Sequence, residues 1–257
     1  HLFTEGPVGY AVRRYCLHYR YRYTSSFHSR FPEYFKMRVG FPMVVSSTYL
    51  RWFHYRSTRI MVATDSIEKE LAGKGYRRLV RWSRGVDTDL FRPRSKDFIQ
   101  DGRPVFLYAG RVAIEKNLEA FLDLKLPGTK WIIGDGPYRK VLEQKYPEVR
   151  FKGYQQGETL ARYIAAADVF VFPSETDTFG NVVLEALASG VPVAALPVQG
   201  PKDIINNPKV GILSQNLQQA AMEALKLAPQ DCRTFALNYT WEKCTQQFLE
   251  NLVPLSG

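Results

Sequence analysis

The sequence predicts an α/β protein built on parallel sheets, and three observations carry that prediction. Short apolar runs such as Val105–Ala109, Asp168–Phe172 and Val191–Ala195 read as buried strands. Between them lie amphipathic stretches of helical spacing, each about 8–12 residues long. The connections are short and marked by Gly, Pro, Asp and Asn, so strand and helix alternate along the chain. Such alternation builds a parallel sheet with helices on both faces.

In chain order, Gly9–Arg20 reads as a helix carrying Arg13, Arg14 and Arg20 among aromatics. Tyr21–Phe27 alternates and reads as a strand, with His28 at its carboxyl end. Phe31–Arg38 and Val44–Arg56 are helical in pattern. His18 and His54 sit in basic helical patterns and read as solvated surface residues. Ile60–Ala63 is a strand, Ser66–Gly73 a helix, and Leu79–Ser83 a strand ending at Arg84-Gly85-Val86-Asp87. The polar, breaker-rich stretch Arg92–Pro104 reads as a linker. Val105–Ala109 then opens a second run of elements and ends at Gly110-Arg111. A helix over Asn117–Leu124 follows, with Leu118, Phe121 and Leu122 on one face. Lys130–Ile133 is a strand that stops at Gly134-Asp135-Gly136-Pro137. Tyr138–Tyr146 is helical, Val149–Lys152 a short strand, and Glu158–Ala167 an alanine-rich helix. After strand Asp168–Phe172, a helix over Asn181–Ser189 closes at Gly190. Strand Val191–Ala195 comes next. Beyond it the pattern turns helical, over Leu217–Leu227, Pro229–Leu237 and Trp241–Leu252.

Composition narrows the class. The chain has 257 residues, 45% of them hydrophobic and 23% charged, which suits a globular protein of one large or two modest domains. Cys16, Cys232 and Cys244 are scattered and form no CxxC pair, so neither a disulfide framework nor a structural zinc site is expected, and a reducing compartment is favoured. No apolar run reaches the length of a spanning helix. The net charge is +10. Residues 1–100 carry 19 Lys/Arg against 8 Asp/Glu, and the rest 16 against 17, so the surplus lies wholly in the first part. A polyanionic partner follows for that part: nucleic acid, an anionic membrane face or a phosphorylated substrate.

Ligands of open parallel sheets bind beyond the carboxyl ends of the strands, so those ends hold the candidates. Gly110 allows close backbone approach, Arg111 offers a planar fork for phosphate, and Lys116 adds a compact charge. The plainer reading is a solvated turn. Gly134-Asp135-Gly136-Pro137 is a turn at a helix start, and no GxGxxG or GxxxxGK[ST] loop occurs. The densest signal is Phe172–Gly190, FPSETDTFGNVVLEALASG. There Phe179-Gly180-Asn181 opens a helix whose amino end suits a phosphate. Asp177 lies in the loop and Glu185 two helical turns inside, so both can face one ligand. Asp87-Thr88-Asp89 is spelled like a metal-binding DxD but reads as a structural turn.

That segment resembles the E-x7-E region of retaining glycosyltransferases of family 4. Gly110–Asn117 (GRVAIEKN), Gly134–Pro137 (GDGP), Leu160–Ser174 and Leu187–Ala195 are similar to the same family. So are Thr4–Gly9 (TEGPVG), Ser25–Tyr34 (SSFHSRFPEY) and Arg81–Pro93 (RWSRGVDTDLFRP). Together they look most like the bacterial branch that glycosylates membrane lipids, often from GDP-mannose. The first acid is Asp177 where the family more often has Glu, a variant that reads as a mark of that branch.

The resemblance implies a GT-B fold of two Rossmann-like domains. It places an acceptor-side domain over 1–97 and implies that this domain is incomplete at its amino terminus. A nucleotide-sugar domain spans 98–240, and a closing helix over 241–257 packs back toward the first domain. Arg111 and Lys116 would hold the donor diphosphate, helped by Gly110, Gly134 and the backbone at Phe179, Gly180, Asn181 and Val182. Glu185 would bind the donor ribose, Asp177 the transferred hexose, and His28 would lie near the sugar. The activity implied is metal-independent, retaining transfer of a hexose, mannose before others, to a hydroxyl of a lipid or glycan. The donor is GDP-mannose, or alternatively a UDP-sugar, with no prosthetic group. The basic, aromatic stretches Tyr10–Tyr23 and Arg51–Arg59 suit an anionic bilayer, so the expected place is the inner face of the cell membrane. The competing readings are a soluble-glycan transferase, a nucleotide-sugar epimerase, an inactive fragment that only binds donor, and a nucleic-acid binder. The last lacks any helix-turn-helix, zinc or RNP-like signature.

Overall fold

The computed structural model describes residues 1–27, 43–97, 101–175 and 179–254. His28, Asp177 and the helix expected over Phe31–Arg38 lie outside them. The chain divides into two compact units, His1–Arg84 with Glu242–Gly257, and Gly85–Trp241.

The first unit holds helix α1 (Pro7–His18), strand β1 (Thr24–Phe27), helix α2 (Met43–His54), strand β2 (Arg59–Val62), helix α3 (Asp65–Gly73) and strand β3 (Leu79–Arg81). Its sheet is parallel, in the order β1-β2-β3. Strand β1 is shorter than its alternation suggests, because Arg20 takes a left-handed backbone (φ 58°) and turns the chain after α1. The closing helix Trp241–Asn251 belongs largely to this unit. Trp82 Nε1 donates to the Cys244 carbonyl (3.2 Å), and Asn251 Nδ2 to that of Arg81 (2.7 Å).

His54 differs from its sequence reading. It is 1% exposed. Leu50, Phe53 and His54 share the face of α2 that packs inward, so the spacing that buries the first two carries the imidazole with them. Its Nδ1 lies 2.8 Å from Ser25 Oγ, and its Nε2 lies 3.4 Å from Glu5 Oε1. Arg13 is also buried rather than displayed. Its Nε donates to the Phe53 carbonyl (2.9 Å) and its Nη2 to that of Trp52 (3.2 Å), and its guanidinium stacks 3.9 Å from the Trp52 ring centre. A cation at a helix carboxyl end offsets the helix dipole there.

The second unit holds β4 (Val105–Ala109), a single 3-10 turn (Ile114–Lys116), α4 (Glu119–Leu122), β5 (Thr129–Ile133), α5 (Arg139–Lys145), β6 (Arg150–Gly153), α6 (Gly157–Ala166) and β7 (Val169–Phe172). It continues with α7 (Asn181–Ala188), β8 (Val193–Ala195), α8 (Gln199–Ile204), β9 (Gly211–Leu213), α9 (Leu217–Ala224) and α10 (Pro229–Ala236). Its six strands are all parallel, in the order β6-β5-β4-β7-β8-β9. Every residue of β4, β7 and β8 is buried, as strands covered on both faces require. Phe106, Tyr108, Ile132, Val169 and Val171 form one core with Leu118, Phe121, Leu142 and the apolar side of α9.

The boundary between units falls at Gly85 rather than at 98, and Arg92–Pro104 is no free linker. Arg233 explains the first part. Its guanidinium donates to the carbonyls of Thr88 (3.0 Å), Phe91 (2.8 Å) and Ala188 (2.9 Å), which fastens Gly85–Phe91 onto the second unit. Arg94 then forks onto Glu158 (2.5 and 3.0 Å). Asp168 accepts from the Val105 N–H (2.7 Å), from Lys96 Nζ (3.1 Å) and from Arg103. Burial alone pushes the Asp168 carboxyl up, but these three donors together outweigh it and hold its pKa below the usual value.

Asp168→Asn is therefore expected to destabilise the fold by about 1.5–3 kcal/mol at neutral pH, read as a lower denaturation midpoint at unchanged m. A depressed carboxylate pKa stabilises the fold above its unfolded value. The gap between the two proteins should therefore begin to close only as the pH falls below 3.8.

Candidate active site

In the second sheet the strand order reverses between β4 and β7, with β5 and β6 on one side and β8 and β9 on the other. A crevice opens beyond the carboxyl ends at such a point. The turns after β4 and β5 are stitched together there. Gly110 N donates to the Ile133 carbonyl, and Val112 N to that of Asp135, both at 2.9 Å. Only glycine fits position 134. Its φ is 131°, and a Cβ would stand 1.9 Å from the Gly110 carbonyl oxygen. The turn after β4 ends at Asn117, a left-handed residue (φ 53°). Asn117 Nδ2 donates to the Pro173 carbonyl (3.2 Å) and to Glu175 Oε1 (3.3 Å), so it ties this turn to the loop after β7.

A cavity of about 430 Å³ lies at this crevice. Ala109, Gly110 and Arg111 line it from β4, and Ile133, Gly134 and Asp135 from β5. Tyr154–Gly157 and Leu160 line it after β6, and Val182 and Glu185 from α7. The Arg111 side chain is 57% exposed and meets only Glu115, at 3.6 Å, among its described ion pairs. Helix α7 opens on Gly180, whose φ of 82° admits the chain into the first turn. Glu185 is partly buried, and burial pushes its pKa up to about 7. No described cation offsets that burial, which is the pattern of a carboxylate awaiting a partner.

The structure thus gathers Gly110, Arg111, Gly134, Val182 and Glu185, all proposed from sequence, around one cavity. Lys116 closes the adjacent 3-10 turn and does not line it; Phe179, which is buried, half-buried Gly180 and exposed Asn181 stand at the start of α7. His28 and Asp177 fall outside the described residues. Sequence reasoning missed the wall formed by Tyr154, Gln155, Gln156 and Leu160. The signal was present, since Gly153 ends β6 at the same edge of the sheet. Tyr154 is 68% exposed, and an exposed aromatic ring on a cavity wall is suited to stacking on a base. Chemically, the cavity joins a guanidinium fork and a helix start, both suited to phosphate, to a carboxylate suited to hydroxyls. Among the described residues, no group of three or more His, Cys, Asp or Glu side chains converges as a metal site.

A doubly wound domain with a cation, a helix start and a carboxylate at its switch point is the build of a nucleotide-binding domain. Comparison with known proteins gives the family. Residues 103–229 match the family described as Glycosyl transferases group 1, and residues 1–90 match Glycosyltransferase Family 4. The chain belongs to the family 4 glycosyltransferases. It is 35% identical over 190 residues to a GDP-mannose-dependent alpha-mannosyltransferase of Mycobacterium tuberculosis, covering 70% of this chain and 50% of that protein. It is 34% identical over 152 residues to the alpha-monoglucosyldiacylglycerol synthase of Streptococcus pneumoniae, covering 53% of this chain and 34% of that one. Its fold is that of Anabaena Alr3699/HepE, solved with UDP, at a TM-score of 0.76 and 17% identity over 96% of this chain and 77% of that one. Against these curated relatives the chain spans half of their length or less. The fold is GT-B, of two parallel-sheet α/β domains.

Proposed function

We propose that this protein is a retaining hexosyltransferase that moves mannose from GDP-mannose to a hydroxyl of a membrane lipid. The observation that carries the reading is Arg111 and Glu185 on the walls of one cavity at the switch point of the second sheet. Departure of the diphosphate builds negative charge on its bridging oxygen. Arg111, Lys116 and the N–H groups at the start of α7 oppose that charge from fixed positions, which is worth most where water is excluded. The Glu185 carboxylate accepts from the ribose hydroxyls. By resemblance, Asp177 holds the hexose and His28 stands beside the reacting carbon. The chemistry implied is metal-independent. The mannosyltransferase relative supports the donor, and the diacylglycerol-glycosylating relative supports a lipid acceptor.

The acceptor side of the reading rests on the first unit. Val8, Tyr10, Tyr15, Tyr19, Val44 and Trp52 are all exposed there, and the Tyr10 and Trp52 rings stack 6.2 Å apart between α1 and α2. Arg14, Arg20 and Arg56 are exposed in the same unit. Aromatics at the headgroup level and arginines on anionic lipid are the chemistry of a peripheral membrane face. Among the described residues no helix is long and apolar enough to cross a membrane. In this reading the protein works at the inner face of the cell membrane.

Thermal unfolding with a panel of nucleotide sugars tests the donor. GDP-mannose is expected to stabilise the fold by about 2.7 kcal/mol at about a hundred times its Kd. Stabilisation by UDP- or ADP-sugars with none by GDP-mannose would overturn that assignment. Transfer to soluble glycans but never to liposomes would overturn the lipid acceptor.

A further inference from the structure

The first unit contains a cavity of about 380 Å³ that the transferase reading does not use. It is lined by the end of α2, by Ile60 at the start of β2, and by the loop 75–78 that leads into β3. Those segments all enter the sheet at its amino-terminal edge. The cavity is therefore at the opposite end of the strands from their carboxyl ends.

Among the described residues that line it, three carry guanidinium groups, Arg51, Arg77 and Arg78, and none is acidic, although the Glu5 carboxylate stands behind the wall, 3.4 Å from His54 Nε2. Helices α2 and α3 both end here, and helix ends of this kind call for some positive charge. Arg78 meets that need, donating through Nη2 to the Tyr55 carbonyl (2.7 Å). Arg51 and Arg77 exceed it, since among the described residues neither pairs with a carboxylate. Two details mark the cavity as built rather than incidental. Arg78 holds a left-handed backbone (φ 61°), a conformation that a long side chain keeps only when its surroundings impose it. His54, 1% exposed, lines the cavity, and its buried Nε2 has no hydrogen-bond partner, Glu5 Oε1 standing 3.4 Å away. Tyr76 adds a half-buried phenol to the wall.

We propose that this cavity binds a phosphate ester, with Arg51, Arg77 and Arg78 holding the phosphate. Its volume exceeds that of a bare phosphate and suits a sugar phosphate or a glycerophosphate headgroup. The proposal is independent of the transferase reading, because no residue is shared with the donor cavity.

Calorimetric titration with glycerol 3-phosphate tests it. Arg51→Gln and Arg77→Gln are each expected to weaken binding about tenfold, the loss of one charge-assisted hydrogen bond. Arg111→Ala, in the donor cavity, and Arg14→Gln, an exposed arginine elsewhere in the same unit, should leave it unchanged. Equal weakening by Arg14→Gln would show a response to net charge alone and overturn the site. Weakening by Arg111→Ala alone would place the ligand in the donor cavity and also overturn it, as would no binding at all. Phosphatidylglycerol vesicles, with phosphatidylcholine vesicles as reference, distinguish the sources. Vesicle binding reduced more by Arg51→Gln and Arg77→Gln than by Arg14→Gln assigns the cavity to a lipid headgroup. Vesicle binding reduced equally by all three, with glycerol 3-phosphate binding lost only in the first two, assigns it to a soluble ester.

Discussion

Replacing Arg111 with Ala is expected to lower kcat/KM by about 10²–10³-fold and to leave the stability of the fold within about 0.5 kcal/mol of the parent. The two halves of this expectation come from different observations. Arg111 is more than half exposed, and its described ion pair with Glu115 is 3.6 Å long on the surface. Such pairs contribute little to stability. The same side chain lines the cavity at the reversal of the sheet, where a departing diphosphate would place its charge. Losing the fork removes an interaction that strengthens as that charge develops, so kcat should fall along with donor affinity. Arg111→Lys should recover only part of the loss, because a point charge replaces a bidentate donor. Steady-state kinetics beside chemical denaturation reads both quantities. Unchanged turnover in Arg111→Ala would end the assignment of this cavity to the donor.

Glu185→Gln should act in the opposite sense on stability. The carboxyl has its pKa raised from 4.5 to about 7 by burial, so the folded protein binds more protons than the unfolded chain between those values. The fold therefore loses stability as the pH rises through that window, by an amount on the order of 3 kcal/mol once the group is fully ionised. Gln keeps the volume and removes the charge. Denaturation of the unliganded protein should thus find the variant more stable above pH 7, with the difference vanishing below 4.5. Donor binding should move the other way. Ribose hydroxyls donate to a carboxylate better than to an amide, so the variant should bind donor more weakly. In the parent protein, affinity should fall as the pH drops below about 7, and in the variant it should be flat. A parent and a variant with the same pH dependence of stability would show that some other group is responsible. A buried acid that costs stability until a ligand arrives is what separates a site from a structural ion pair such as Asp168 with Lys96 and Arg103.

Much of the second unit was legible in the chain. Runs such as VFLYA and VFVF contain no polar residue, and a strand buried on both faces leaves that trace. The carboxyl ends of VFLYA and of Lys130–Ile133 then pointed to Gly110, Arg111 and Gly134 without any structure. Short elements without a periodic signal were missed. Helix α8 includes Gly200 and Pro201 within six residues, and β9 has only three residues, so neither displays a repeat long enough to read. Bounds also shifted by up to three residues where the chain frays or turns, as at Tyr21–Phe27, where the strand begins at Thr24.

The sequence alone determined the alternation of strands and helices and which turns could face a phosphate, because apolar periodicity and turn chemistry are local properties. The tertiary structure decided three other matters. It placed Glu185 and Arg111, 74 residues apart in the chain, on the walls of one cavity, and brought Tyr154 and Gln155 to the same cavity. It buried His54, which a basic helix had suggested was solvated. It gave Gly85–Asp97 to the second unit through Arg233 and Asp168 rather than leaving a linker. Each depends on which distant carbonyl, carboxylate or core a side chain meets, and that is fixed only when the sheet order closes.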